Sequence, residues 1–118
     1  MKLLTKALTE KLLANGRLNA AHVEEDGNTE DLEPVVKFFN PCGAATWLIT
    51  EMDEDEDRMF GLCDLGFGTP ELGYVSLSEL ASVKCGFGLG IERDIWFEAE
   101  KTLAEYAAEA RETGRIAA

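Results

Sequence analysis

The sequence has few of the residues that build metal centres and disulfide frameworks. Its 118 residues include one histidine, His22, and three cysteines, Cys42, Cys63 and Cys85. The cysteines are odd in number and widely spaced, without a Cys-x-x-Cys pair, which argues against a zinc site and against a disulfide framework. We therefore expect no metal, no cofactor, and free, mostly buried thiols in a reducing cytoplasm.

Basic residues and long apolar runs are also scarce. Eleven Lys and Arg stand against 23 Asp and Glu, for a net charge of −12. Because phosphate binding depends on Lys and Arg, this balance disfavours direct nucleic-acid binding and, by the same sign argument, an anionic membrane surface. It favours a basic protein partner, with improved solubility as the alternative reason for the charge.

Membrane insertion and secretion are not indicated either. No apolar run approaches the roughly 18 residues of a membrane helix. Glu10 and Lys11 interrupt the apolar N-terminal stretch, and no small-residue cleavage site follows, so it does not read as a signal peptide. We expect a cytoplasmic protein.

The length and composition indicate one domain over residues 1–118, with 46% hydrophobic residues to form a core. Thr5 is placed to cap a first helix, in which Leu8 and Leu12 recur at helical spacing. We predict that this helix ends at Asn15-Gly16 and that residues 17–33 form a mobile polar loop.

The middle of the chain has the alternation and turn residues of an antiparallel meander. Predicted strands cover residues 35–39, 45–52, 59–65, the vicinity of 74–75, and 91–97. Ser76 with Glu79, and Thr102 with Glu105, have capping-box spacing and predict a short middle helix and a C-terminal helix. The fold class is therefore α+β: an antiparallel sheet of four or five strands, with N-terminal, middle and C-terminal helices packed on one face.

Two acidic segments are the candidate partner-binding residues. They comprise Asp53, Glu54, Asp55, Glu56 and Asp57 in a turn, and Glu24, Glu25, Asp26, Glu30 and Asp31 in the predicted loop. We expect the turn to stay solvated and extended because like charges repel. If the segments lie close together, their carboxylates could imitate a phosphate backbone and occupy a basic groove. The simpler alternative is a solvated turn without specific function, and Arg58 stands where a calcium loop needs glycine.

An arginine in the last predicted strand suggests a structural ion pair. Alternation places Arg93 on the same face as Ile91, and an arginine among apolar neighbours needs a carboxylate, which Asp64 or Glu71 could supply. The glycine-rich segment 86–90 does not have dinucleotide-binding spacing and is typical of a turn that needs positive φ.

Seven segments of the chain form an ordered set: VVKFFNP, GAATWL, FGL, DLG, PELGYVSL, EL and IERD. Together they resemble a family of bacterial proteins, domain-of-unknown-function family 2958. The resemblance implies a short stand-alone protein of the kind often carried on plasmids, phages and other mobile elements. It implies no activity, so no catalytic residue is transferred. Small acidic proteins of mobile elements are often inhibitors of host defence, including anti-restriction and anti-CRISPR proteins that imitate DNA.

Three hypotheses follow from these patterns. The first is a non-enzymatic acidic binding protein that inhibits a basic nucleic-acid-handling protein. The second is a small-ligand-binding protein or enzyme that uses Glu71, Glu92, Arg93 and Asp94. The third is a structural protein that, if not a monomer, forms a homodimer through an exposed strand edge.

Overall fold

Five antiparallel strands and three α-helices make up the fold over residues 2–118, which the computed structural model describes apart from the side chain of Asp26. The elements are α1 (Lys6–Asp26), β1 (Val36–Phe39), β2 (Thr46–Met52), β3 (Arg58–Asp64), β4 (Glu71–Ser76), α2 (Leu77–Ser82), a 3₁₀ turn (Gly86–Gly88), β5 (Glu92–Arg93) and α3 (Leu103–Thr113). The strands lie in the order β4-β3-β2-β1-β5, with every pair antiparallel. The α+β prediction is confirmed.

The central strand β2 is apolar on both faces, so the sheet carries a core on each side. Trp47 and Ile49 join a core that includes Leu12 of α1 and Leu80 of α2. Leu48, on the opposite face, joins a second core with Leu62 and with Leu103, Tyr106, Ala107 and Ala110 of α3. Our expectation that all helices share one face was therefore wrong, because successive side chains of a strand point to opposite faces.

Helix α1 begins as predicted but continues well beyond Gly16. The Thr5 side chain accepts a hydrogen bond from the Leu8 N–H at 3.2 Å, and the helix ends at Gly27, which has a left-handed φ of 79°. A Cβ at Gly16 would lie 2.3 Å from the Met52 carbonyl oxygen. This glycine therefore permits close packing of α1 on β2 and does not end the helix, and the predicted loop is helical through residue 26.

The last strand is shorter than predicted. Only Glu92 and Arg93 pair with β1, where Phe38 is opposite Arg93. The Asp94 carboxylate then accepts the Trp96 N–H at 2.9 Å, and the Phe97 N–H donates to the Asp94 carbonyl. These two bonds turn the chain away from the sheet.

A disulfide joins Cys42, in the turn between β1 and β2, to Cys85, in the loop after α2. The prediction of three free thiols was wrong for these two residues. They are 43 positions apart in sequence, and the two loops meet only because β1–β5 pairing brings them to one end of the sheet. Cys63 is a free thiol, and burial raises its pKa.

No helix within residues 2–118 has both the length and the apolar character needed to cross a membrane.

The disulfide predicts the thiol count of the purified, air-oxidised protein. Alkylation under denaturing, non-reducing conditions should label one cysteine, Cys63, and alkylation after reduction should label three. Mass spectrometry of the intact protein measures both values. Three labelled cysteines before reduction would contradict the Cys42–Cys85 bond.

The close contact of α1 with β2 predicts that Gly16→Ala is destabilising. Alanine favours a helix interior by about 1 kcal/mol over glycine, but the added Cβ meets backbone, and overpacking costs about 1–3 kcal/mol. We expect a lower free energy of unfolding in urea. The reciprocal control, Ala20→Gly at an exposed position of the same helix, should lose about 1 kcal/mol from helix propensity alone. A more stable Gly16→Ala protein would contradict the packing.

Candidate acidic interaction site

The acidic turn, residues 53–57, is a folded connection between β2 and β3. The Asp53 N–H donates to the Arg58 carbonyl at 2.9 Å, and the Glu56 N–H donates to the Asp53 carbonyl at 3.0 Å. The Asp55 carboxylate accepts the N–H groups of Asp57 and Arg58 at 2.9 and 3.0 Å. Our expectation of an extended segment was therefore wrong, because backbone donors compensate the repulsion between its carboxylates. The expected solvation is confirmed, since residues 54–56 are exposed.

Asp57 caps the N-terminus of helix α2 from the neighbouring turn. Its carboxylate accepts the Ser76 hydroxyl at 2.7 Å and the Ser78 N–H at 2.8 Å. The Ser76 hydroxyl, followed by the Ser78 N–H, holds the pKa of this carboxyl below its ordinary value. Ser76 itself is the N-cap of α2 and accepts the Glu79 N–H, as the sequence predicts. Asp57 therefore has a structural role in connecting the turn to α2.

Two other acids of the turn are paired with arginines. Glu54 makes a two-pronged contact with Arg17 of α1, at 2.5 Å from Nε and 2.9 Å from Nη2. The hydrogen bond from Arg17 lowers the pKa of Glu54, and the same bond raises the pKa of Arg17. Asp53 lies 3.3 Å from Nη1 of Arg58. These pairs attach the acidic turn to α1 and to the start of β3.

Glu56 occupies the tip of the turn in a left-handed conformation, with φ of 57°. Glycine adopts this conformation with little strain, whereas a residue with a Cβ is destabilised by roughly 1–2 kcal/mol. The Glu56 side chain is exposed and has no hydrogen bond or ion pair among the contacts of residues 2–118. The turn therefore holds one exposed carboxylate, at the edge of a groove beside α1, at a position where glycine would fold more easily.

The second acidic segment is divided between α1 and the connection to β1. Glu24 and Glu25 lie exposed near the end of α1 and make no ion pair within residues 2–118. Asp31 accepts the Ala104 N–H at 3.0 Å and so caps α3 from a distance. Asp31 therefore has a structural role within the fold, while its side chain remains exposed. The side chain of Asp26 lies outside the described part of the chain.

Asn19 brings the two acidic segments together. It is 3% exposed, and its amide nitrogen donates to the Glu51 carboxylate at 2.6 Å while its oxygen accepts the Glu30 N–H at 2.7 Å. Glu30 and the end of β2 therefore meet at one face of α1. Glu24 lies seven residues beyond Arg17, about 10 Å farther along the helix. The acidic turn and Glu30 thus lie along α1, and Glu24 continues the side of the helix on which Arg17 binds Glu54.

Sequence reasoning missed Asn19, Arg17 and Glu51. The sequence does indicate a buried position for Asn19, because it lies seven residues after Leu12 and so falls on the same face of a helix. Ending the predicted helix at Gly16 concealed that signal.

Glu51 is a half-buried carboxylate with a raised pKa. Burial is the largest cause, the nearby charge of Asp53 adds to it, and the Asn19 hydrogen bond opposes it. The acidic surface therefore includes one group whose ionisation the fold opposes.

The predicted ion pair of Arg93 with Asp64 or Glu71 was wrong. Arg93 donates from Nη1 to the Leu3 carbonyl at 2.8 Å and more weakly to a neighbouring carbonyl, which attaches the segment before α1 to β5. Buried Asp64 accepts the N–H groups of Gly66 and Ile116, both at about 3 Å. Backbone groups thus satisfy both side chains, and no salt bridge joins them within residues 2–118.

The four residues of the enzyme hypothesis are not assembled in one place. Glu92, Arg93 and Asp94 line a depression of about 410 Å³ beside Trp96. Glu71 is exposed on β4, at the opposite edge of the five-stranded sheet. Four strand spacings correspond to about 19 Å. Separately, no cluster of His, Cys, Asp and Glu in the described residues could hold a metal ion.

A larger groove, of about 1060 Å³, runs between the start of α1 and the segment from α2 to β5. Its apolar lining includes Leu13, Leu77 and Leu89. Its charged lining residues are Lys2, Lys6, Lys84, Glu10, Glu56 and Glu92. The groove is therefore lined by as many basic as acidic residues, although the protein as a whole is strongly acidic.

The chain belongs to the family described as "Protein of unknown function (DUF2958)", whose profile matches residues 3–117. The resemblance seen in the sequence is thereby confirmed. No curated protein and no solved structure matches the chain.

The raised pKa of Glu51 predicts that Glu51→Gln stabilises the protein at neutral pH. The carboxyl binds its proton more tightly in the folded state, so wild-type stability falls as pH rises through the ordinary and then the raised pKa of this group. Glutamine keeps an acceptor for Asn19 and carries no charge. Thermal unfolding should show a higher Tm for the variant at pH 7, with the difference shrinking below about pH 4, the range of an ordinary Glu pKa.

Glu54→Gln is the matched control, because Arg17 lowers the pKa of Glu54. This substitution should give no gain in Tm at pH 7. A Glu51→Gln protein that melts at or below the wild-type temperature at pH 7 would contradict the assignment.

Proposed function

We propose that this protein is a non-enzymatic binding protein whose acidic surface occupies a basic groove on a nucleic-acid-handling protein, in the manner of a nucleic-acid mimic carried by a mobile element. The surface comprises the tip of the acidic turn and the exposed acids at the end of α1. Its target, in this proposal, is a host defence protein of the restriction or CRISPR type, and its effect is inhibition.

The observation that carries the proposal is the backbone of Glu56. A glutamate held at positive φ lowers the free energy of unfolding relative to glycine at the same position. Such strain is retained where the side chain has a function. Repulsion from the neighbouring acids adds to the cost. Within residues 2–118 the side chain has no hydrogen bond or ion pair, and its attraction is to Arg17, which Glu54 already pairs. A contact with a partner is therefore the use that we infer.

The arrangement of the other acids supports the same use. The contacts of Asp55, Asp57 and Glu54 within the fold hold the turn in one conformation, so little conformational entropy is lost when Glu56 binds. Glu24 and Glu25 extend the line of outward carboxylates along α1. A basic groove that receives such a line would be closed to a phosphate backbone, since both bind the same Arg and Lys side chains.

The test is competition with DNA by a variant that changes only the outward acids. Host DNA-binding proteins are loaded on immobilised double-stranded DNA and eluted with the wild type or with Glu24→Gln, Glu25→Gln, Glu56→Gln at low salt. An exposed ion pair contributes about 0.5 kcal/mol, so loss of three should raise the half-maximal eluting concentration by about tenfold. Elution should also weaken at high salt.

The matched control is Glu71→Gln, Glu98→Gln, Glu112→Gln, which makes the same change in net charge at exposed positions elsewhere. It should elute as the wild type does. If both triple variants lost elution equally, the effect would depend on net charge alone, which would contradict a specific surface. Failure of the wild type to displace any DNA-binding protein would also contradict the proposal.

A single substitution separates binding from folding. Glu56→Gly relieves the positive φ, so the free energy of unfolding should stay the same or rise by up to about 1 kcal/mol. Elution from DNA should nevertheless require more protein. A Glu56→Gly variant that elutes as well as the wild type would remove the observation on which the proposal depends.

A further inference from the structure

The segment between α2 and β5, residues 84–90, lies almost entirely on the surface. Every residue from 84 to 89 is exposed except Cys85, whereas Leu80 before the segment and Ile91 after it are buried. No apolar side chain of the segment belongs to either hydrophobic core. Its conformation therefore depends on its two buried flanks and on the bonds made along its length.

The hydrogen bonds of this segment lie within it and do not attach it to the sheet. The Cys85 N–H donates to the Leu89 carbonyl at 2.7 Å, and a β-bridge closes the segment near its two ends. A disulfide sulfur has no hydrogen to donate, so the 3.9 Å approach of the Cys42 sulfur to the Gly86 carbonyl is only a contact. Among residues 2–118, the Cys42–Cys85 bond is therefore the one strong link from the segment to the turn between β1 and β2.

The segment also contains a strained residue, Phe87. Its φ is 65° and its ψ 22°, a left-handed conformation that is unfavourable for a residue with a Cβ. Phe87 is 102% exposed, so burial of its ring does not offset the strain. The disulfide therefore holds residues 84–90 in a conformation that their own contacts do not favour.

Residues of this segment form one wall of the groove beside α1. Lys84, Gly88, Leu89 and Gly90 line the groove on this side, and the first turns of α1 line it on the other. Because the two walls enclose about 1060 Å³, a movement of residues 84–90 would change the width of the groove. The disulfide is therefore placed to control the shape of this cavity.

The disulfide is open to attack by a thiol. Cys42 is exposed and Cys85 is half-buried, so the Cys42 sulfur is the more accessible of the two. One thiolate of a dithiol attacks this sulfur, forms a mixed disulfide with Cys42 and releases Cys85 as a thiolate, which takes up a proton. The second thiolate of the dithiol then displaces Cys42. The dithiol ends as its own disulfide, and both cysteines end as thiols.

We propose that the Cys42–Cys85 bond is a redox switch that fixes residues 84–90 as one wall of the groove. Reduction by a dithiol releases the segment, while the sheet and its two cores stay folded, because no side chain of the segment belongs to them. The proposal goes beyond the function proposed for the acidic surface. Glu56 lines the same groove, but it belongs to the turn between β2 and β3, which the disulfide does not join.

Backbone order parameters from ¹⁵N relaxation, measured before and after reduction with dithiothreitol, test the proposal. The Cys63→Ser protein is used, so that the reductant acts on the disulfide alone. In the oxidised protein, the amides of Phe87 and Gly88 should have order parameters of about 0.85, typical of rigid backbone; after reduction they should fall below about 0.6. The amides of Glu56 and of strands β1 and β2 should stay at about 0.85 in both states.

The matched control combines Cys42→Ser and Cys85→Ser with Cys63→Ser. This protein should show a flexible segment from the start and should not respond to dithiothreitol. Reoxidation of the reduced Cys63→Ser protein with oxidised glutathione should restore the rigid segment.

Three results would overturn the proposal. The first is a segment that stays rigid after reduction, and the second is one that is already flexible in the oxidised protein. The third is loss of the dispersed spectrum of the whole domain on reduction, which would make the disulfide a structural cross-link of the fold and not a switch.

Discussion

The close packing of α1 on β2 is the contact on which the rest of the structure depends. Gly16 lets the helix backbone approach the Met52 carbonyl, and the residues that follow then face the end of the strand. Arg17 reaches Glu54 and Asn19 reaches Glu51 from this position. Without the glycine, the helix would stand farther from the sheet and these side chains could not hold the acidic turn.

The same sheet separates two surfaces of different chemistry. The turn between β2 and β3 is acidic, whereas the loops at the other end lack charge and carry two exposed phenylalanines. Each end has one non-glycine residue at positive φ, Glu56 or Phe87. Our central claim is that the strained residue Glu56 is retained for an electrostatic contact outside the folded chain.

The sequence predicted most of the local structure because its signals are local. The alternation of β1 to β3 and the capping residues Thr5, Ser76 and Thr102 depend on neighbours a few positions apart, and the structure confirms them. The length of α1 was missed because Asn-Gly is a common helix end, and only the approach of Met52 explains a glycine in mid-helix. Nothing in the local pattern shows that approach.

The site was predictable only in part, for the same reason. The two acidic segments were evident, but the structural roles of Asp31 and Asp57 depend on helix N-termini that arrive from distant parts of the chain. The Cys42–Cys85 bond and the backbone partners of Arg93 and Asp64 likewise join segments that are remote in sequence. Exposure of Phe87 and the left-handed backbone of Glu56 are properties of the folded loops.

The most direct measurement of the central claim is the backbone conformation of Glu56 in solution, from NMR scalar couplings and intraresidue NOEs. We predict that Glu56 holds a single positive φ, near the 57° of the structure. A negative φ, or averaging over several conformations, would show that the residue is not strained and would contradict the claim.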